Sequence, residues 1–113
     1  MDHLNFIRGL PCLICGDNIS TEAAHVRYAD RSVGKEITGI GRKPSDVFTV
    51  PLCSRHHRDQ HKRGESAAWR AWGIDPVKAA LGLANISGDQ VIGESIVEYH
   101  NEVAHHGTSS ILP

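Results

Sequence analysis

The apolar residues of this chain fall into short runs separated by turn formers, and each run has its own period. Two runs read as strands. Glu22-Ala23-Ala24-His25-Val26-Arg27-Tyr28 is a short one, weakened by its two Ala. Asp46-Val47-Phe48-Thr49-Val50-Pro51-Leu52 is a second, with β-branched and aromatic content, and Pro51 puts it at an edge or a strand end. Ser54 can cap a polar helix from about Arg55 to Arg63 that Gly64 stops. Asp75-Pro76 is a cap followed by Pro at the first helical position, which opens a helix to about Leu83. Ser87-x-x-Gln90 has the form of a capping box before a last helix ending near Gly107, with Ile92, Ile96, Tyr99 and Val103 expected on its inner face. Residues 1–11 would hold a short helix or an extended arm ended by Gly9 and Pro11, and residues 108–113 are expected to fray. Arg31 to Lys43 carries three Gly and four basic residues and reads as a long surface loop. Trp69 and Trp72 are expected in the core, because a small aromatic-poor domain needs them to cover the polar helix.

The order is therefore knuckle, strand, loop, strand, helix, then helices. That is an α+β chain, a small ββα core over residues 1–83 followed by a helical extension and short tail over residues 84–113. A length of 113 residues allows one compact domain with such a tail. A composition of 40% hydrophobic and 22% charged residues excludes global disorder. No run approaches the roughly 18 apolar residues of a membrane span. The first residues lack a basic stretch followed by an apolar core, so a secretory signal is not expected and the cytoplasm is.

Charge changes the picture further. From His25 to Arg63 nine Lys or Arg face four acids, a local balance of +5, whereas from Asp75 to Pro113 one Lys faces five acids. A chain divided in this way suits a polyanion held by its middle. Arg27, Arg31, Lys35, Arg42, Lys43, Arg55, Arg58, Lys62 and Arg63 can meet successive phosphates of such a polyanion, giving affinity and salt dependence without sequence information.

In a reducing compartment three cysteines are no disulfide framework, but their spacing suits a metal. Cys12-x2-Cys15 ahead of Gly16 reads as a zinc knuckle, one half of a tetrahedral site. Cys53-x2-His56 is the other half, placed where the second strand turns into the polar helix. The long spacer between the halves does not exclude the site, since loop closure costs only roughly 0.6 kcal/mol per doubling of length.

His57 and His61 are four apart on that helix and so lie on one face, while His56 is rotated by about 100° from His57. One helix can thus serve two metals, His56 a structural zinc and His57 with His61 a catalytic ion. The alternative is an exposed histidine pair on a polar helix. His25 bears on the choice. A lone strand histidine is more often structural, but this one sits inside the spacer that the zinc closes, so strand, strand and helix stapled by zinc would bring the three imidazoles together.

At these residues the chain resembles a family. Cys12-x2-Cys15, Glu22-Ala23-Ala24-His25-Val26-Arg27, and Gly41-Arg42-Lys43-Pro44-Ser45-Asp46-x-Phe48-Thr49-Val50-Pro51-Leu52-Cys53-x2-His56-His57-Arg58-x2-His61 look like the HNH nucleases, the ββα-metal or His-Me finger class. They look closest to a zinc-bound phage and prophage branch that includes the recombination-enhancement nucleases. The likeness runs from about Cys12 to Leu83 and is most specific from Val50 to His61. It implies a metal-dependent endonuclease that hydrolyses DNA phosphodiester bonds to 5'-phosphate and 3'-hydroxyl ends. In it His25 matches the general base, and His57 and His61 match the ligands of a catalytic divalent ion such as Mg2+ or Mn2+. Cys12, Cys15, Cys53 and His56 match the structural Zn2+ ligands, and a recombination protein is an expected partner beside DNA. Two departures stand out. Many HNH proteins carry Asp or His just before the base as a further ligand, and this chain has Ala24. The middle Asn is replaced near its place by Ser45-Asp46. The catalytic ion then has two protein side chains with water and substrate phosphate, or recruits an acid such as Asp46 or Glu22. A non-catalytic zinc-stabilised DNA-binding or adaptor module on the same fold is the alternative function. A metal store or sensor using the histidines is a third, with His100, His105 and His106 included, though these three are expected on the exposed end of the last helix.

Overall fold

The computed structural model describes residues 2–27 and 46–111, with side chains as far as residue 104. Tyr28, the loop from Arg31 to Lys43 and the last two residues lie outside the described residues, as do the side chains of His105 and His106.

The elements run α1 His3–Arg8, β1 Thr21–His25, β2 Thr49–Cys53, α2 Ser54–Arg63, α3 Glu65–Trp72, α4 Pro76–Asn85 and α5 Gln90–Ile111. The two strands pair antiparallel, from Thr21 opposite Cys53 to His25 opposite Thr49. All of β2 is buried, so this strand is the centre around which α1, α2 and α4 gather. Pro51 sits in β2 without breaking it. Its carbonyl accepts from the Leu13 amide at 2.8 Å, on the edge facing away from β1. Because a strand residue points its N and O to the same edge, the missing N–H of Pro51 is not a ladder donor. The same bond docks the knuckle on β2. There the Gly16 amide returns to the Cys12 carbonyl at 2.8 Å, and Gly16 takes φ +78°, open to glycine without strain.

Helix ends follow their local chemistry, with corrections. Asp2 caps α1 through the Asn5 amide, and Asp75 caps α4 through the Val77 and Lys78 amides ahead of Pro76 at the first position. Ser54 is not the cap of α2. Cys53 holds that position in extended backbone, and Ser54 is already the first helical residue, its hydroxyl turned to the Ser20 carbonyl and to Glu22. The double-tryptophan segment forms a helix of its own, α3, entered through Gly64 at φ +91° and closed by the left-handed Gly73. Trp69 is buried as expected. Trp72 is partly buried and meets the Trp69 ring edge-on at 5.0 Å.

The last helix differs most from expectation. It runs helical to Ile111, past Gly107, and Ser87-x-x-Gln90 forms no capping box. Asp89 is the residue whose carboxylate accepts from the Ile92 amide. Ser87 instead meets His3, and Gln90 donates to the Gly9 carbonyl. Ile92, Tyr99 and Val103 are exposed at 45%, 61% and 47%, so of the expected inner face only Ile96 packs on the core. The buried face is Gly93 and Val97, with Ala104 against the core as well. The reason is close approach. A Cβ placed on Gly93 would stand 2.9 Å from the Phe6 ring, so α5 turns its smallest residue, not its bulkiest, toward α1. Further along, the Asn101 amide donates to the carbonyls of Leu13 and Ile14 at 3.1 and 2.6 Å, holding the knuckle from the outside. Among the described residues no helix is long and apolar enough to cross a membrane.

Candidate functional site

Cys12 and Cys15 come from the knuckle, Cys53 from the end of β2 and His56 from the first turn of α2. Their donor atoms all lie within 4.8 Å of one another. Cys15 Sγ is 3.9 Å from Cys53 Sγ, and His56 Nδ1 is 3.7 Å from Cys12 Sγ and 3.2 Å from Cys53 Sγ. A tetrahedron with Zn–S bonds of about 2.3 Å has edges of about 3.8 Å. The spacing and the three-sulfur, one-imidazole donor set therefore fit a metal such as zinc, as the two half-sites predict. The three thiols are free, so no disulfide competes for them.

Local electrostatics divide the ligands. Burial pushes the Cys12 thiol up to about 11, against the pull of nearby backbone amides. Cys53 also meets burial, but the backbone amides of His56 and Arg55 at the start of α2, with the neighbouring thiols, bring it below the usual thiol value. Burial, then the positive charge of Arg55, lowers His56, favouring the neutral imidazole a metal needs. Trp72 presents its ring edge-on to His56 at 5.8 Å, closing the site on the α3 side.

The second set of histidines occupies the other side of α2. His57 and His61 stack with ring centroids 4.9 Å apart, one turn along the helix. Glu22 of β1 reaches across to them: its Oε1 is 2.7 Å from His57 Nδ1, and its Oε2 accepts from Ser54 Oγ at 3.1 Å. The bond from His57, above all, holds the Glu22 carboxyl below its ordinary value. His25 ends β1, its Nε2 3.0 Å from Asp46 Oδ1. Ala24 is fully buried beside it and offers no ligand atom. Among the described residues the three-cysteine, one-histidine quartet is the group of three or more such side chains whose donors converge; His25, His57 and His61 are not drawn into a second one.

Each of the two acids named as recruits for the ion is thus paired with a different histidine, a division that sequence reasoning missed. Part of it was readable. Glu22 and Ala24 are two apart in a strand, hence on one face, so the acid on the Ala24 side of β1 was open to reading. Of the basic residues, Arg27 follows β1 and its amide donates to Glu65 at 2.6 Å. Arg55, Arg58 and Lys62 line an open cleft along α2 with His56 and Asp59, and Arg63 pairs with Asp59 at 3.0 Å. Arg31, Lys35, Arg42 and Lys43 lie outside the described residues.

A family model described as "Protein of unknown function (DUF968)" matches residues 1–80. No curated protein and no solved structure matches the chain.

Proposed function

The chain belongs to the DUF968 family, and we propose that it is a metal-dependent HNH endonuclease that hydrolyses DNA phosphodiester bonds. The observation that carries this reading is the bond from Glu22 of β1 to His57 of α2, 2.7 Å long. It ties the strand that ends in His25 to the helix face that bears His57 and His61. A strand imidazole can serve as a base, a helical pair of imidazoles can hold an ion, and a basic helix rim can hold phosphates, which together suit water attack on a phosphodiester.

His25 is the general base. Asp46 accepts the Nε2–H of His25, so the lone pair on Nδ1 is the one left to take a proton from water. A carboxylate behind the ring also stabilises the imidazolium that forms. His57 and His61 hold a divalent ion such as Mg2+ or Mn2+. When bound, that ion polarises the phosphate and stabilises the leaving oxygen. Arg58 and Lys62, with Arg27, hold the flanking phosphates. The quartet of Cys12, Cys15, Cys53 and His56, with zinc, is structural: four protein ligands leave no open position for substrate.

The test is plasmid nicking with Mg2+ or Mn2+ on zinc-loaded protein. His25→Ala should lose about 10²- to 10⁴-fold in rate with zinc content unchanged, and His57→Ala should lose nicking through its metal. Unchanged nicking in His25→Ala would refute the assignment. Ala24, buried and without a donor atom, favours one second reading, a non-catalytic zinc-stabilised DNA-binding or adaptor module. Zinc and DNA affinity without any cleavage would establish that one instead.

A further inference from the structure

We infer that Glu22 is a positioning residue that holds His57 by Nδ1, so that Nε2 is the atom His57 presents to a divalent cation. This inference rests on the nuclease reading above.

Ala24 occupies the place of a side-chain ligand and cannot serve as one. Glu22 lies on the same strand face and is the obvious substitute, but its contacts give it a different task. Its Oε1 meets His57 Nδ1 at 2.7 Å, and its Oε2 is held by Ser54 Oγ at 3.1 Å. The two nitrogens of an imidazole point away from each other across the ring. A carboxylate bonded to Nδ1 therefore cannot also ligate an ion at Nε2 of the same ring. Glu22 instead accepts a hydrogen bond from His57 Nδ1–H, which fixes the tautomer with its lone pair on Nε2 and fixes the ring plane. Ser54 in turn fixes the carboxylate, because it is the first residue of α2 and not the cap. Serine, glutamate and histidine form a chain from the helix start through β1 and back to the helix. An ion bound by only two protein side chains depends strongly on such preorientation, since little else organises its sphere before the phosphate arrives.

The experiment uses the zinc-loaded full chain, titrated with Mn2+ and followed by the electron paramagnetic resonance signal of the free ion. Wild type, Glu22→Ala, Glu22→Gln and Ser54→Ala are compared, with zinc content measured on each. Glu22→Ala should weaken Mn2+ binding about 10- to 100-fold. Glu22→Gln keeps an accepting oxygen but loses the charge and should fall between Glu22→Ala and wild type, and Ser54→Ala should show a smaller loss. Nicking by Glu22→Ala should recover as Mn2+ is raised, the defect lying in the metal concentration needed and not in the maximal rate. If both Glu22 variants bind Mn2+ as wild type does, while wild type nicks DNA through His25, the positioning role is wrong and the nuclease reading stands. If zinc-loaded wild type neither binds Mn2+ nor nicks DNA, both fall.

Discussion

Cys12 and Cys53 face the same site from opposite electrostatic positions. The buried Cys12 thiol, pushed up to about 11, keeps its proton at neutral pH until a metal displaces it. Cys53 at the helix start gives up its proton more readily. Zinc binding should therefore release at least about one proton per ion at pH 7, and affinity should fall as pH falls. Calorimetry in buffers of different ionisation enthalpy measures that release; binding without proton release would mean Cys12 is not a thiolate ligand. Glu22 is shifted the other way from Cys12, yet its contribution also fades toward acid pH. Its folded carboxyl lies below the ordinary value, so its contribution is present above about pH 4.5 and is lost as pH falls through the folded value. At His25 the tautomer decides which nitrogen is basic. Asp46→Asn can offer an N–H where a carboxylate oxygen stood, favouring the tautomer with its proton on Nδ1. Nicking should drop by about 10-fold or more while zinc and Mn2+ binding hold. The candidate zinc ligands were legible in the sequence because each half-site is local, and the His57–His61 contact was legible because the two are one turn apart on one helix. The carboxylate partners were not, because Glu22 and Asp46 reach their histidines through strand register and the turn into β2.

At the level of elements, burial depended on close approach where periodicity counts bulk. The apolar pattern of α5 selects Ile92, Tyr99 and Val103, yet these are exposed, and the contact with α1 is made at Gly93. A sequence pattern cannot show which residue a neighbouring helix will approach most closely. The β2-to-α2 junction was legible for the same reason in reverse: turn, strand and helix there are consecutive and need no distant partner. Two glycines make the point testable. Gly93→Ala would put its methyl 2.9 Å from Phe6 Cζ and 3.0 Å from Leu10 Cδ2, both on buried side chains. It should destabilise by about 1–3 kcal/mol despite the better helix propensity of Ala. Gly82→Ala, on α4, would meet Ile96 at 3.7 Å, an ordinary contact, and should stabilise by about 0.5–1 kcal/mol. Denaturant unfolding of the two variants beside wild type gives both numbers, and equal shifts in one direction would contradict the packing.

Across the whole molecule, charge and zinc have to be taken together. The Cys12, Cys15, Cys53 and His56 group joins the knuckle, β2 and α2, so with zinc it fixes the paired strands, and His25 at the end of β1, to the helix that carries Arg55, Arg58 and Lys62. From Asp75 onward five acids face one Lys, and of these Glu94, Glu98 and Glu102 are exposed on α5. Binding to duplex DNA should accordingly be cooperative with zinc and strongly salt-dependent. Contacts from Arg27, Arg55, Arg58 and Lys62 alone would give a slope of about −4 for log affinity against log salt, at roughly −0.9 per phosphate. Fluorescence anisotropy with a short labelled duplex measures the slope. Replacing Arg58 and Lys62 by Ala should flatten it by about two units while leaving zinc content unchanged. Stripping zinc with a chelator should instead abolish the binding outright, because the basic surfaces then lose their fixed arrangement. A slope near zero in wild type, or zinc-free protein that binds DNA as well as the loaded form, would show that the charge asymmetry serves something other than a polyanion.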